Sequence, residues 1–369
     1  MSCDFLSLAL PGVQKLSPYV PGKPVEELAR EFGLDPAAIV KLASNETPLG
    51  PAPSVLKSVQ QALPELTRYP DGNGFTLKQA LSERFGFDLP MITLGNGSND
   101  ILELIGRAFA MPGTEVVFSQ HAFAVYPIVT QAVGATAVQV PAQDWGHELE
   151  ALAAAITPAT RRVFIANPNN PTGTWFERAE FEAFMAKVPE QVLVVLDEAY
   201  TEYVEAGEAL NGFDYIEQYP NLIVCRTLSK AYGLAALRVG YCISHPQVAD
   251  VLNRVRQPFN VNSLALAAAV AALADEAYLA ESRELNHRGM RQLEQGLTEL
   301  GLQWIPSRGN FIAVDLGRDA APVYQGLLQA GVIVRPVGGY EMPNHLRVSF
   351  GLAQENQRFL EALAGVLGR

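Results

Sequence analysis

The sequence has few cysteines, no long apolar run and no cluster of basic residues. Its three cysteines, Cys3, Cys225 and Cys242, are odd in number, and neither a CxxC spacing nor a cluster of histidines accompanies them. This pattern argues against a disulfide framework and a metal site, and it favours a reducing, cytoplasmic setting. The opening MSCDFLSLALPG has no basic residue before its short apolar run, and no stretch of about 18 apolar residues follows. We therefore expect neither secretion nor a membrane span.

Basic residues are in the minority, since 27 Lys and Arg stand against 39 Asp and Glu, for a formal net charge of −12. Without a run rich in Lys and Arg, the chain lacks the basic surface that binds nucleic-acid backbones. We therefore expect no nucleic-acid partner. Because an acidic surface repels anions, an anionic substrate has to be bound by a few locally placed arginines.

The chain does contain a large apolar fraction in a regular pattern. Its 369 residues are 49% hydrophobic, which fits a packed protein of two domains. From about residue 90 to 245, helical patterns alternate with short apolar runs: VVF at 116, TAVQV at 136, RRVFIA at 161, QVLVVLD at 191, NLIVC at 221 and RVGYCIS at 238. This alternation predicts an α/β fold with a mostly parallel sheet sandwiched by helices, and a ligand site outside the carboxyl ends of the strands.

The pattern changes after this region. Residues 264–300 predict one or two long helices, and the strand-like runs that follow predict a smaller α+β domain. Four prolines in the first 30 residues predict an irregular arm. We divide the chain into an N-terminal arm that contributes to the small domain (1–45), a large ligand-binding domain (46–265) and a small C-terminal domain (266–369).

The segment TLSKAYGLAALRVG, at residues 227–240, holds a lysine in unusual surroundings. Lys230 follows a predicted strand, its neighbours are small and apolar, and Arg238 stands eight residues further on. Desolvation and a nearby cation both lower the pKa of an amine. The segment therefore favours a nucleophilic lysine over a solvated surface lysine.

Three further motifs place polar groups after predicted strands. In VVLDEAY, Asp197 ends a buried strand, where it either caps the next turn or faces a cationic ring nitrogen. In NPNNPTG, two prolines and a glycine fix a turn that presents Asn169 and Asn170. In GNGSND, two glycines precede a helix whose free N–H groups suit a phosphate, although Asp100 is also typical of a helix terminus.

In this order, the four motifs resemble those of the aspartate aminotransferase-like family of fold-type I pyridoxal-phosphate enzymes, over nearly the whole chain. The resemblance implies pyridoxal 5′-phosphate as cofactor, with Lys230 as the Schiff-base lysine and Asp197 as the partner of the pyridinium nitrogen. Tyr200 would complete the catalytic set and, with Asn170, would donate to the cofactor's 3′-oxygen. The residues implied to hold the cofactor phosphate are Ser98, Asn99, Ser229 and Arg238, and Thr227 is a further residue implied to bind the cofactor.

The same resemblance assigns two aromatic residues. The family stacks an aromatic ring on the cofactor at the position of Phe123, and Tyr126 is the alternative. Tyr69, in TRYPDG, resembles the tyrosine that reaches the cofactor phosphate of the neighbouring subunit, which would make the active site a property of a homodimer. Otherwise Phe123 is a core residue and Tyr69 a turn residue.

Three segments, LSPYVPG at 16, KLASNETPLG at 41 and RPVGGYEMPNHLRVSFG at 335, narrow the resemblance to the histidinol-phosphate aminotransferases. It implies that Arg335 and Arg347 bind the substrate's anionic group and that Tyr19 and Asn45 close over it. A guanidinium fork suits both carboxylate and phosphate, so one site would accept glutamate and histidinol phosphate in turn. The expected reaction, in histidine biosynthesis, converts histidinol phosphate and 2-oxoglutarate to imidazole acetol phosphate and glutamate.

Two related activities stay open: an aromatic amino-acid aminotransferase, whose substrates also pair an anion with a ring, and a threonine-phosphate decarboxylase, which needs no acceptor oxoacid. From another class, a dinucleotide-binding oxidoreductase fits poorly because Asp100 stands where GxGxxG has its third glycine. A non-enzymatic cofactor-binding or scaffold protein would leave the lysine, aspartate and tyrosine at strand ends unexplained.

Overall fold

The fold consists of a large sheet covered by helices and a smaller sheet built from the end of the chain. A computed structural model describes residues 3–19, 21–205, 207 and 210–369. Its strands are β1 (Val40–Lys41), β2 (Ile92–Gly95), β3 (Glu115–Ser119), β4 (Thr136–Val140), β5 (Thr160–Ala166), β6 (Leu193–Asp197), β7 (Leu222–Thr227), β8 (Gly240–Ser244), β9 (Gln303–Ile305), β10 (Phe311–Asp315), β11 (Val332–Ile333), β12 (Arg335–Pro336) and β13 (His345–Ser349). Its α-helices are α1 (Pro11–Gln14), α2 (Val25–Phe32), α3 (Pro53–Ala62), α4 (Phe75–Phe85), α5 (Ser98–Phe109), α6 (Val125–Ala132), α7 (Leu149–Ala154), α8 (Arg178–Met185), α9 (Pro246–Val255), α10 (Ser263–Ala274), α11 (Glu276–Glu299), α12 (Ala320–Gln329) and α13 (Ala353–Leu367).

The large sheet has, within the described residues, seven strands in the order β2-β8-β7-β6-β5-β3-β4. Strands β3 to β7 run parallel to one another, and β8 is antiparallel to both of its neighbours. The predicted α/β fold, with a mostly parallel sheet between helices, is confirmed. The carboxyl ends of β5, β6 and β7 consequently meet at one edge of the sheet.

Strand β6 shows how the sequence divides between the two faces of this sheet. Val194 and Leu196 pack into the core on one face. Val195 packs into the core on the other face, together with Tyr126 of α6. The run is apolar throughout because both faces are buried. Since side chains alternate along a strand, Asp197 at the end of β6 falls on the face where Tyr126 lies.

The smaller sheet is, among the described residues, a four-stranded antiparallel sheet in the order β12-β13-β10-β9. Helices α11 and α13 pack against each other beside it, and α12 packs on α13. β1 pairs in parallel with β11, with Val40 opposite Val332. Residues near the start of the chain therefore belong to the small domain in space.

The first 30 residues are more regular than their prolines suggest. Helix α1 begins at Pro11 and α2 begins directly after Pro24. Proline is tolerated at a helix start because no intrahelical N–H bond is needed there. Helix α2 buries Leu28 in a cluster with Leu328 and Ile333 of the small domain. The prediction of an irregular arm is therefore wrong at α2.

Helices α10 and α11 account for the long helical pattern over residues 264–300. Helix α10 packs on α3 and α4. Among the described residues, no single helix is long and apolar enough to cross a membrane; α10 and α11 meet that criterion only as a pair, by length and composition, and are bent by 79° where they join.

Candidate active site

A cavity of about 280 Å³ opens at the carboxyl ends of β5, β6 and β7 and faces the small domain. All the predicted site residues except Tyr69 line it: Tyr19, Asn45, Ser98, Asn99, Phe123, Asn170, Asp197, Tyr200, Thr227, Ser229, Lys230, Arg238, Arg335 and Arg347. Tyr69 is 83% exposed and stacks on Phe259, with ring centroids 4.7 Å apart. The fold thus brings together segments from both domains and from the N-terminal arm.

Lys230 lies in this cavity just after β7. Its Nζ donates a hydrogen bond to the carbonyl oxygen of Ser44 at 3.0 Å. Burial, and then the positive charges of Arg347 and Arg238, lower the pKa of Lys230 to about 8, while Glu46 opposes the shift. The unprotonated amine, which is the nucleophilic form, is therefore accessible near neutral pH.

Asp197 is buried beside Tyr126. The Tyr126 hydroxyl donates to Asp197 Oδ2 at 2.9 Å, whereas Oδ1 is buried without a hydrogen-bond partner among the described residues. Burial raises the pKa of Asp197 to about 6, so its ionised form is less favourable than in water and would be stabilised by a cation beside it. An unpartnered carboxylate oxygen at a cavity wall suits a protonated ring nitrogen.

The hydroxyl of Tyr200 is held by Asn45. Asn45 Nδ2 donates to Tyr200 Oη at 2.9 Å. Ser349 fixes this asparagine twice, because its Oγ accepts from the Asn45 backbone N–H at 2.8 Å and donates to Asn45 Oδ1 at 3.1 Å. Burial raises the pKa of Tyr200 to about 12. The phenol therefore keeps its proton and has it available for an oxyanion in the cavity.

The amino end of α5 forms a polar corner of the cavity. Ser98 and Asn99 begin the helix, so their N–H groups have no intrahelical partner. Gly97 has a φ of 82°, and a Cβ on it would lie 2.4 Å from Arg238 Nη2, so glycine is needed for the guanidinium to approach. Arg238 Nη1 also donates to Ser229 Oγ at 3.4 Å. The positive helix end and the arginine together favour an anion such as phosphate.

Two neighbouring residues brace this corner. Asp100 Oδ2 accepts from the backbone N–H of Asn96 at 2.8 Å and from Asn260 Nδ2 at 2.7 Å, so Asp100 acts as a helix-terminus carboxylate. Thr227 Oγ1 accepts from the backbone N–H of Ser229 at 3.1 Å. This second bond orients the residue that precedes Lys230.

The NPNNPTG loop presents one of its two central asparagines to the cavity. Asn170 lines the cavity, and its Oδ1 accepts a hydrogen bond from Arg347 Nη1. Asn169 turns toward the protein, where its Nδ2 donates to the carbonyl oxygen of His121 at 3.0 Å and to Thr172 Oγ1 at 2.9 Å. Asn170 is therefore the candidate ligand, and Asn169 holds the loop.

Arg335 and Arg347 lie directly opposite each other on β12 and β13. Like charges in such a cross-strand pair repel, which is a cost to the fold. Arg347 Nη2 donates to the carbonyl oxygen of Ala43 at 2.7 Å, and its Nε is buried with no partner among the described residues. The Arg335 guanidinium lies 5.1 Å from the centre of the Tyr19 ring. Two opposed arginines, one with an unused N–H, are suited to an anion.

Phe123 and Tyr126 are the two candidates for stacking on a ring ligand. The Tyr126 ring is already stacked on Phe164, with centroids 4.6 Å apart and planes 5° apart, and its hydroxyl is engaged by Asp197. Phe123 is half-buried and meets Tyr126 edge-on at 5.9 Å. Phe123 therefore has the freer ring and stays our prediction for the stacking residue.

Sequence reasoning missed residues that support the site from distant segments. Ser44 supplies the carbonyl oxygen that Lys230 contacts, and Asn310 Nδ2 donates to the carbonyl oxygen of Asn45 at 3.0 Å. No spacing rule connects these positions. Ser349 is different, because it stands two residues after Arg347 on a strand and so shares its face. The two-residue spacing from Arg347 could therefore have predicted that Ser349 faces the site.

Comparison with known proteins gives relatives that match over nearly the whole chain. Residues 37–363 match the family model for aminotransferase class I and II. A histidinol-phosphate aminotransferase 2 from Pseudomonas fluorescens is 68% identical over 369 residues, covering 100% of both chains, and one from Pseudomonas aeruginosa is 68% identical over 364 residues, covering 99% of this chain. The crystal structure of histidinol-phosphate aminotransferase from Sinorhizobium meliloti in complex with pyridoxal-5′-phosphate has a TM-score of 0.90 at 34% identity and covers 97% of both chains.

Proposed function

Because the chain belongs to the aminotransferase class I and II family, we propose that it transfers the amino group of L-histidinol phosphate to 2-oxoglutarate. The products are imidazole acetol phosphate and L-glutamate, and the reaction is a step of histidine biosynthesis. The observation that carries this proposal is the meeting, in one cavity, of Lys230, Asp197 and the opposed pair Arg335 and Arg347. The relatives named as histidinol-phosphate aminotransferases support the choice of substrate.

The cofactor is pyridoxal 5′-phosphate, and the residues of the cavity fit it. The unpartnered Asp197 Oδ1 suits the ring nitrogen, and the start of α5 with Arg238 and Ser229 suits the phosphate. Tyr200 and Asn170 have donors for the ring oxygen, and the Lys230 amine suits the carbonyl carbon. When bound, this cofactor supplies an electron-accepting ring for the electron pair left when the substrate loses its Cα proton.

Lys230 has two tasks in the proposed mechanism. Its neutral amine is the nucleophilic form that would hold the cofactor at the carbonyl carbon, with the carbonyl oxygen leaving as water. When the substrate amine is held there instead, the free Nζ would move the proton between the substrate carbon and the cofactor carbon. A pKa of about 8 suits both tasks, because the amine is easily deprotonated for attack and easily protonated as a base. Asp197 keeps the ring nitrogen protonated throughout, which maintains the electron-accepting ring.

The substrate side of the cavity is formed by the two arginines. Arg347 and Arg335 would hold the phosphate of histidinol phosphate and, in the second half-reaction, a carboxylate of glutamate, because a guanidinium pairs with either anion. Tyr19 covers Arg335 from the N-terminal arm, and Asn45 fixes the Tyr200 hydroxyl in the cavity. Two half-reactions in one site imply ping-pong kinetics.

We also propose a homodimer in the cytoplasm that acts on small molecules and binds neither nucleic acid nor a membrane. Tyr69 supports the dimer, because its exposed ring is held on Phe259 and does not line the cavity of its own chain, which leaves it available to a second subunit. The cysteines support the compartment, because Cys3, Cys225 and Cys242 are all free.

The test records the visible absorption spectrum of the cofactor-loaded protein before and after addition of histidinol phosphate, with phenylalanine and glutamate in parallel cuvettes. We expect histidinol phosphate at low concentration to change the cofactor band fully and phenylalanine to do so poorly. A change with phenylalanine alone would identify an aromatic amino-acid aminotransferase. Release of carbon dioxide from threonine phosphate without an acceptor would identify the decarboxylase.

A further inference from the structure

The turn that follows β12 is fastened to the large domain by side chains that the mechanism does not use. It comprises residues 338–341 and ends at Glu341. Gln120, directly after β3, and Gln139, in β4, each donate a hydrogen bond to a different oxygen of the Glu341 carboxylate, the second at 3.0 Å. His121 Nδ1 donates to the carbonyl oxygen of Tyr340 at 2.6 Å. Three side chains of the large domain thus hold one turn of the small domain.

The backbone at this contact is unusual for the residues that stand there. Glu341 has a φ of 62°, and His121, which faces the turn, has a φ of 55°. This left-handed region favours glycine, so a glutamate is retained there at a conformational cost that its contacts have to offset. The two amide donors provide that compensation, and they hold the pKa of Glu341 below its usual range. Strain that is offset by a specific contact points to a role for the contact.

The turn forms part of the wall of a second cavity, of about 700 Å³, that continues the active-site cavity. The two cavities share Tyr19, Pro21, Gly22 and Arg335. Tyr340 in the turn is half-buried and lies near the same arginines, since Arg347 and Arg335 oppose the rise that desolvation causes in its pKa. The position of the turn therefore determines the shape of the opening of the active-site cavity, beside the arginines proposed to bind the anion.

We propose that Glu341 is a positioning residue for substrate binding: by fastening turn 338–341 to Gln120 and Gln139, it holds Arg335 and Tyr340 in place at the mouth of the site. For the identity of the substrate, this inference rests on the proposed function. Glu341 lies outside the lining of the active-site cavity, so its loss should weaken binding of the substrate and leave the chemical step intact.

The test compares Glu341→Gly with Glu361→Gln in the cofactor-loaded enzyme. Glycine keeps the left-handed backbone and removes both hydrogen bonds, so the variant is expected to fold. Glu361 accepts a hydrogen bond from Gln357 at 3.0 Å on the exposed face of α13, which makes it a matched control. For Glu341→Gly we expect the KM for histidinol phosphate to rise about three- to tenfold, with kcat and the cofactor dissociation constant within about twofold of the parent. The control should change none of these.

A partner exchange distinguishes positioning from a general loss of packing. Gln120→Glu alone places two carboxylates together and should raise the KM. Combining it with Glu341→Gln restores a donor and an acceptor and should return the KM toward that of the parent. An unchanged KM in Glu341→Gly, or a double variant no better than Gln120→Glu, would overturn the proposal.

Hydrogen exchange at the amides of residues 338–342 gives a readout that does not depend on the substrate. We expect faster exchange in Glu341→Gly than in the parent and in Glu361→Gln. If the parent does not act on histidinol phosphate, the proposed function fails, and the KM comparison is then made with whichever amino donor the enzyme uses. Faster exchange without any rise in the KM for that donor would contradict the positioning role.

Discussion

The two walls of the active-site cavity are built in different ways. On the sheet wall, Asp197 ends one strand and Lys230 follows another, and both strands pair on both sides and are buried on both faces. On the small-domain wall, Arg335 lies on a two-residue strand, and Tyr19, which is itself half exposed, covers it from the N-terminal arm. A long hydrogen-bonded ladder holds the first wall, and a few side-chain contacts hold the second. The difference suggests that the rigid wall supports the chemistry and the lightly held wall selects the substrate.

Removing the lysine is the strongest test of the sheet wall. In Lys230→Ala we expect steady-state turnover to fall by at least about 10³-fold, because both the covalent attachment and the proton carrier are lost. The fold should persist, since alanine fits a site between small apolar residues. Steady-state kinetics with the thermal midpoint as a folding check measures both. The control is Lys187→Ala, an exposed lysine paired with Glu150, which should keep full turnover. Substantial turnover in Lys230→Ala would contradict the proposed mechanism.

Adjacent carboxylates on the two faces of the sheet allow a paired comparison. Asp197→Asn removes the anion proposed for the ring nitrogen and should lower kcat about 10²- to 10³-fold. Glu198→Gln disrupts a buried ion pair, in which Arg226 donates to Glu198 Oε2 from Nε at 2.9 Å and Nη2 at 2.7 Å, so it should lower the thermal midpoint instead. Kinetics and thermal melts on both variants check this division. A loss confined to KM in Asp197→Asn would contradict the assigned role.

Substitution of the two arginines should lower kcat/KM by an intermediate amount, and the loss should differ between them. Arg347→Lys cannot reproduce the two hydrogen bonds to Asn170 and Ala43 and should lower kcat/KM about 10- to 100-fold. Arg335→Lys should cost only a fewfold, because its side chain is half-buried and rests on Tyr19. In both variants the loss should appear mainly in KM. Losses of equal size in kcat would mean that the small-domain wall also takes part in the chemical step. The contrast between the two walls would then be wrong.

The pKa of Lys230 predicts the smallest effect. Because only the neutral amine attacks, uptake of cofactor by the cofactor-free protein should quicken about fivefold between pH 7 and pH 8 and level off above that. Between pH 8 and 10.5 the unfolded chain holds a proton that the folded chain has lost, so this group raises the free energy of unfolding as pH rises through that window. Stopped-flow absorbance follows the uptake. A rate that is flat from pH 6 to 9 would contradict the desolvated lysine.

The sequence predicted the sheet wall because the signals there are local. The unbroken apolar run that ends at Asp197 indicates a strand buried on both faces, and the polar residue after it marks the carboxyl edge. The predicted fold, the family and the cofactor are confirmed. The roles assigned to individual residues stay predictions, although the cavity gathers all of them but Tyr69.

The rest could not be predicted because it depends on how distant segments meet. Asn169 and Asn170 are neighbours in one motif, yet only the packing of the loop on His121 decides that Asn169 turns away. The largest cationic influence on Lys230 comes from Arg347 on another domain, whereas the sequence pointed to Arg238. Side-chain hydrogen bonds between domains carry no periodic signal along the chain, so a pattern of residues cannot reveal them.

The cross-strand pair of Arg335 and Arg347 has a consequence for anyone who evolves this protein in the laboratory. Two cations that face each other across one strand pair carry a repulsion, which the proposed anionic substrate would relieve by binding between them. A screen that rewards heat resistance alone should therefore enrich substitutions of Arg335, which relieve the repulsion and erase substrate choice. If the pair binds the substrate as proposed, thermal stability and substrate selectivity conflict at these two residues, so selection on turnover is needed in every round.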